Sequence, residues 1–210
     1  PRGDVLGLDA LAGELAAWLA TRAPAVVIGH SMGGVLATLV AERAPAAVRA
    51  IVNIEGNVSP GDCVFSGRAV AYSESDFAAR GFAELRAWVG EQAATRPPMR
   101  GYEAAMAHAS PHAFHRHARD LVALSAPEDL AARFANLRVP ALYVAGVPDG
   151  ICARSRELLD RHCAPPSGAA RPGEAASGAR WIALEPAGHW VYADQLATFV
   201  AQVTAFVAGG

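Results

Sequence analysis

The chain has 210 residues, 52% hydrophobic and 18% charged, with a formal net charge of −2. That balance supports one globular unit, alone or with an inserted lid, and it lacks the basic runs that nucleic acid or an anionic membrane surface would require. Cys63, Cys152 and Cys163 are odd in number and have no ligand-like spacing, which argues against a disulfide framework or a zinc site and for thiols of a reducing, cytoplasmic compartment. No apolar run reaches the roughly 18 residues of a membrane span, so neither a transmembrane nor a signal segment is expected within the chain. Pro1 is not an initiator Met, and the first seven residues read as a loop leading straight into a helix, so upstream residues are expected.

Leu8, Leu11, Leu15, Trp18 and Leu19 fall at helical spacing, and the segment 21–24 ends that helix before Ala25-Val26-Val27-Ile28. This short apolar run between Pro24 and Gly29 has the character of a strand buried on both faces of a parallel sheet. Val35, Leu36, Leu39 and Val40 form a second helical stripe that stops near Ala44-Pro45, and residues 48–54 are again apolar and β-branched. The first quarter therefore reads helix, strand, helix, strand.

From Val58 to about Phe134 the pattern is helical, around 76–92, 102–109, 112–124 and 127–134, with no convincing strand. Alternation resumes with a strand at 140–146, a helix at 155–162, a strand at 181–184 and a last helix at 195–207. Strands alternating with helices imply right-handed crossovers and a parallel sheet covered by helices on both faces. The expected division is a core of 1–57 and 136–210 with an inserted helical lid at 58–135. Between Ala164 and Ala179 a tract rich in Pro, Gly, Ala and Ser reads as a mobile surface loop without chemistry.

The chemistry concentrates at Gly29-His30-Ser31-Met32-Gly33-Gly34, between a strand and a helix. In that context GxSxG describes a tight turn that holds its serine strained, and small residues at Gly29 and Gly33 allow strand and helix to approach closely. The hydroxyl is then presented at a helix N-terminus, where the dipole and the Met32 N–H favour negative charge on a substrate oxygen. A serine needs a base. His189, in Pro186-Ala187-Gly188-His189-Trp190 after the last predicted strand, would emerge at the same carboxyl edge of the sheet. His30 and Trp190 are expected to shape the pocket. His112, His115 and His117 cluster on a helix of the middle block, but no carboxylate or cysteine joins them at ligand spacing, so no metal is assigned.

The base needs a carboxylate partner. Asp149, in Gly146-Val147-Pro148-Asp149-Gly150 after a predicted strand, and Glu55, in Ile54-Glu55-Gly56-Asn57, both compete. Asp149 is preferred and Glu55 is the alternative acid. Asp194 and Asp62 are weaker candidates.

The segments around Ser31, Asp149 and His189, in that order and each after a strand, resemble the α/β-hydrolase superfamily, in its serine-nucleophile, lidded branch with a GHSMGG elbow. The resemblance covers nearly the whole chain and places residues 58–134 at the family's lid. It implies attack of Ser31 on a carbonyl, an acyl-enzyme, and release by water activated by His189, with no cofactor or metal. A serine at position 31 argues against the branches that carry an aspartate there. The resemblance also implies several strands before the nucleophile and a His-Gly loop donating a second oxyanion N–H. No such segment precedes Ser31 here, and N-terminal strands are therefore expected to be missing from the chain. Loss of one such donor costs about 2.7–4 kcal/mol.

The expected activity is hydrolysis of an ester or thioester, with a small acyl substrate, free or carrier-bound, as partner. A lyase or cyclase on the same triad and a ligand-binding protein with a vestigial triad are the alternatives. Phe65, Tyr72, Phe77, Phe82, Trp88, Met99, Tyr102, Met106 and Phe114 supply an apolar cleft, two or three of them facing substrate.

Overall fold

The computed structural model describes residues 5–163 and 178–209. Its strands lie on the short apolar runs: β1 (Ala25–His30), β2 (Val48–Ile54), β3 (Ala141–Asp149) and β4 (Ala179–Gly188). They form a four-stranded sheet in the order β1-β2-β3-β4, every pair parallel. The two inner strands carry long apolar runs because helices cover both of their faces. β1 departs from the expectation of a strand buried on both faces. Its residues are only half-buried, Ile28 is 54% exposed, and among the described residues β1 has a neighbour on one side only. Among the described residues no strand precedes it.

On one face of the sheet α1 (Leu8–Ala20) and α2 (Met32–Arg43) pack through Leu8, Leu19, Val35 and Leu39 against Ile51 and Tyr143. The chain between β2 and β3 is helical: α3 (Val64–Val70), α4 (Glu74–Asp76), α5 (Phe82–Thr95), α6 (Met99–Met106), α7 (Pro111–Ser125) and α8 (Leu130–Ala135). Periodicity had missed α3, which is too short to show a full stripe. α7 starts sharply because Ser110 accepts a hydrogen bond from the Ala113 N–H and Pro111 occupies the first helical position. Ala69, Phe77, Leu85, Val89, Met99 and Met106 make a separate apolar cluster, whereas Leu130, Ala131 and Phe134 of α8 belong to the core against the sheet. α7 serves both, with Ala118 in the first and Leu121 in the second.

After β3 comes α9 (Ala153–His162), and after β4 come α10 (Val191–Asp194) and α11 (Leu196–Ala208). The last helices cover the second face, where Val191 and Phe206 meet Val52, Leu142 and Val144. β4 is longer than the expected 181–184 and begins at the buried Ala179, so the Pro/Gly/Ala/Ser-rich tract ends sooner than its composition indicated. Residues 164–177 of that tract, like 1–4 of the expected leading loop, lie outside the described residues.

Register sets the site. His30 is opposite Ile54 and Ile54 is opposite Val144, so β1 and β2 end at one level. β3 and β4 run on together until Asp149 is opposite Gly188. The residues after β1, β2 and β4 are Ser31, Glu55 and His189.

Candidate active site

Ser31 sits in the turn from β1 to α2 with φ 55° and ψ −124°. A non-glycine residue at positive φ is strained, typically by 1–3 kcal/mol, and persists only where its surroundings over-determine it. Here the Ser31 N–H donates to the Ile54 carbonyl at 2.8 Å, and the Ser31 carbonyl accepts from the Gly34 N–H at 2.8 Å. Gly29 is required, since a Cβ there would lie 2.0 Å from the Gly33 carbonyl oxygen. Gly33 is not required in the same way: a Cβ at that position meets nothing within 4 Å. Strand and helix approach through the absent side chain of Gly29 and the backbone, not the side-chain position, of Gly33.

Glu55 also adopts positive φ, 53°, and is only 1% exposed. Its Oε1 accepts from the Gly146 N–H at 2.6 Å, and its Oε2 lies 3.2 Å from His189 Nδ1. The expectation that Asp149 pairs with the histidine is corrected by this geometry. The extension of β3 and β4 past the ends of the first two strands carries Asp149 to an exposed rim, while the turn at Glu55 directs its buried carboxylate across Gly146 to the imidazole. Gly150 leaves the room, since a Cβ there would lie 2.3 Å from Glu55 Oε1. The weaker carboxylates have other partners. Asp194 accepts from the Gly188 N–H, and Asp62 accepts from the N–H groups of Val58, Ser59 and Cys152 and from the Ser155 hydroxyl.

His30 Nε2 donates to the His189 carbonyl at 2.8 Å, and its ring lies 4.7 Å from that of His189. Burial and the neighbouring His189 lower its pKa to about 4, against the raising effect of that hydrogen bond. It is neutral at neutral pH, and because a carbonyl only accepts, the proton is on Nε2. His30 thus holds the backbone of the loop whose side chain Glu55 holds.

Ser31, Met32, Glu55, Asp149, His189 and Trp190 line one cavity of about 810 Å³. Of the nine apolar residues expected to supply it, Phe65, Trp88, Met99, Tyr102, Met106 and Phe114 reach its wall, while Tyr72, Phe77 and Phe82 do not. More of them face the cleft than expected, because the separate apolar cluster presents one side to the sheet edge. Phe65, on the helix that periodicity missed, has its ring 5.1 Å from that of Tyr102 and 6.3 Å from that of His189. Burial pushes the Tyr102 phenol up to about 12, so its hydroxyl stays protonated.

The three histidines of α7 go separate ways. His112 meets Glu74, His115 meets the Tyr72 carbonyl and His117 the Leu6 carbonyl. Among the described residues no group of three or more His, Cys, Asp or Glu side chains is placed to hold a metal ion, and no helix is long and apolar enough to cross a membrane.

A family model described as the alpha/beta hydrolase family matches residues 1–202. No curated protein matches the chain. Among solved structures, the enol-lactonase from Burkholderia xenovorans LB400 is 20% identical, with a TM-score of 0.71 over 99% of this chain and 75% of that one. A thermophilic esterase from Thermogutta terrifontis, malate bound, is 16% identical, with a TM-score of 0.71 over 98% and 74%. MenH from S. aureus is 15% identical, with a TM-score of 0.69 over 100% and 78%. At these identities the likeness is one of fold.

Proposed function

Because the chain belongs to the alpha/beta hydrolase family, we propose that it is a serine hydrolase of esters or thioesters, with Ser31 as nucleophile, His189 as base and Glu55 as the acid that orients it. One observation carries this reading: the buried Glu55 carboxylate lies 3.2 Å from His189 Nδ1, on a cavity that the strained Ser31 also lines. A carboxylate at Nδ1 keeps the proton on that nitrogen and leaves Nε2 as the acceptor.

Ser31 Oγ attacks the substrate carbonyl carbon as Nε2 takes its proton. The tetrahedral oxyanion meets the Met32 N–H, which as a first-turn donor of α2 has no intrahelical partner. The imidazolium, stabilised by Glu55, then protonates the leaving oxygen or sulfur and the acyl-enzyme remains. Water adds to it with loss of a proton to Nε2, and collapse releases the acid and restores Ser31. Helices α3 to α7 act as the lid, with an aromatic wall of Phe65, Trp88, Tyr102 and Trp190 that suits an apolar acyl or alcohol group of medium size. Two of the similar structures are named as an enol-lactonase and an esterase, and an ester bond is what those names share.

The test is intact mass and peptide mapping after exposure to a fluorophosphonate. A single adduct on Ser31 is expected. A protein that stays unmodified, or an adduct elsewhere, overturns the assignment and favours a binding role.

A further inference from the structure

Asn53 is 4% exposed and comes two residues before Glu55, on β2. Its side chain reaches both halves of the site described above. Oδ1 accepts from the Gly56 N–H at 3.0 Å, directly after Glu55, and Nδ2 donates to the Gly34 carbonyl at 3.1 Å, in the first turn of the helix that Ser31 begins. The orientation is forced, because an N–H must meet the oxygen and a carbonyl must meet the amide nitrogen. The glycines on either side are adapted to it. A Cβ on Gly34 would fall 2.1 Å from Asn53 Oδ1, and one on Gly56 would fall 2.3 Å from it. The second glycine after Met32 therefore answers first to Asn53, with the Gly29 carbonyl of the serine turn next at 3.2 Å. Tyr143, fully buried on β3, donates its hydroxyl to the Gly56 carbonyl, so both backbone groups of Gly56 are held by side chains.

We infer that Asn53 is a positioning residue that clamps the nucleophile turn to the acid turn, so that Ser31 and Glu55 keep one spacing. This inference rests on the roles proposed for Ser31, His189 and Glu55. Both turns stand at positive φ, at Ser31 and Glu55, and such conformations relax unless neighbouring bonds hold them. The amide oxygen and the amide N–H of one side chain match the two backbone groups. An aspartate would set an oxygen against the Gly34 carbonyl, and an alanine would leave the buried Gly56 N–H without its partner and remove one of the two side-chain donors to the Gly34 carbonyl. Loosening the Glu55 turn would weaken the carboxylate's hold on His189 and with it the stabilisation of the imidazolium that forms as Ser31 attacks.

The experiment measures the rate of fluorophosphonate labelling at Ser31 against probe concentration, with thermal melting, for wild type, Asn53→Ala, Asn53→Asp and Ser125→Ala. Ser125 is also buried and donates to the Leu121 carbonyl at 2.8 Å within α7, so it controls for a buried polar loss away from both turns. The maximal labelling rate is expected to fall roughly tenfold to a hundredfold in both Asn53 variants while the half-saturating probe concentration changes little. Ser125→Ala should melt earlier and label at the wild-type rate. If Asn53→Ala does not fold, the isosteric Asn53→Asp decides on rate alone. Asn53 variants that melt earlier but label at the wild-type maximal rate overturn the clamp. Wild-type protein that is not labelled at Ser31 overturns the underlying assignment instead.

Discussion

The carboxylate of Glu55 and the imidazole of His189 meet at 3.2 Å although 134 residues separate them. Parallel register brings this about: β2 stops level with Val144 of β3, and the turn that follows faces the loop after β4. The same register leaves Asp149 exposed at the cavity rim.

Glu55→Gln is therefore expected to lower kcat on an ester substrate by on the order of 10³–10⁴, the scale of an amide that holds the wrong tautomer. Asp149→Asn should stay within a few-fold of wild type. Steady-state kinetics of the two variants side by side decide the matter, and a larger loss in Asp149→Asn would return the acid to that position.

Ser31 gives a prediction on two axes. Ser31→Gly removes both the proposed nucleophile and the steric cost of φ 55°, so turnover should vanish while stability rises by about 1 kcal/mol. Denaturant melts of Ser31→Gly and Ser31→Ala compare the two effects. A glycine variant no more stable than the alanine one would show that the turn stores no strain.

The lowered pKa of His30, about 4, makes stability depend on pH. The unfolded chain protonates this group near 6.5 and the folded one only near 4. Stability from this source is thus complete above about pH 6.5 and is lost as pH falls toward 4. The expected total is about 3 kcal/mol at 1.36 kcal/mol per pKa unit. His30→Asn should flatten the fall in melting temperature across that window relative to wild type, and equal slopes would contradict the burial argument.

Gly33 and Gly150 should respond oppositely to alanine. At Gly33 a Cβ meets nothing within 4 Å, and alanine is the better helix former by up to about 1 kcal/mol, so Gly33→Ala should melt at or above wild type. At Gly150 the Cβ would fall 2.3 Å from Glu55 Oε1, so Gly150→Ala should destabilise by about 1–3 kcal/mol and slow labelling of Ser31. Normal labelling in that variant would show that the Glu55 carboxylate is not held as described.

Local chemistry carried much of the reading. The short apolar runs and the stripes at helical spacing identified the four strands and most of the helices, because those signals depend on near neighbours in the chain. The Gly29–Gly34 segment likewise announced a strained serine turn, since only a strand followed at once by a helix needs that pattern of small residues. The position of His189 after the last strand was legible for the same reason.

Other features depended on relations between distant segments. Glu55 and Asp149 each follow or end an apolar strand, and nothing within either segment states how far β3 runs beyond β2. That offset is set when the strands pair, and with it which carboxylate reaches the histidine. The link from Asn53 to Gly34 and the aromatic wall beside His189 arose in the same way. The sequence alone determined the elements and the strained serine turn, because these follow from local sterics and periodicity; the tertiary structure decided the partner of His189 and the wall of the cavity, because register and side-chain packing exist only once the strands have paired.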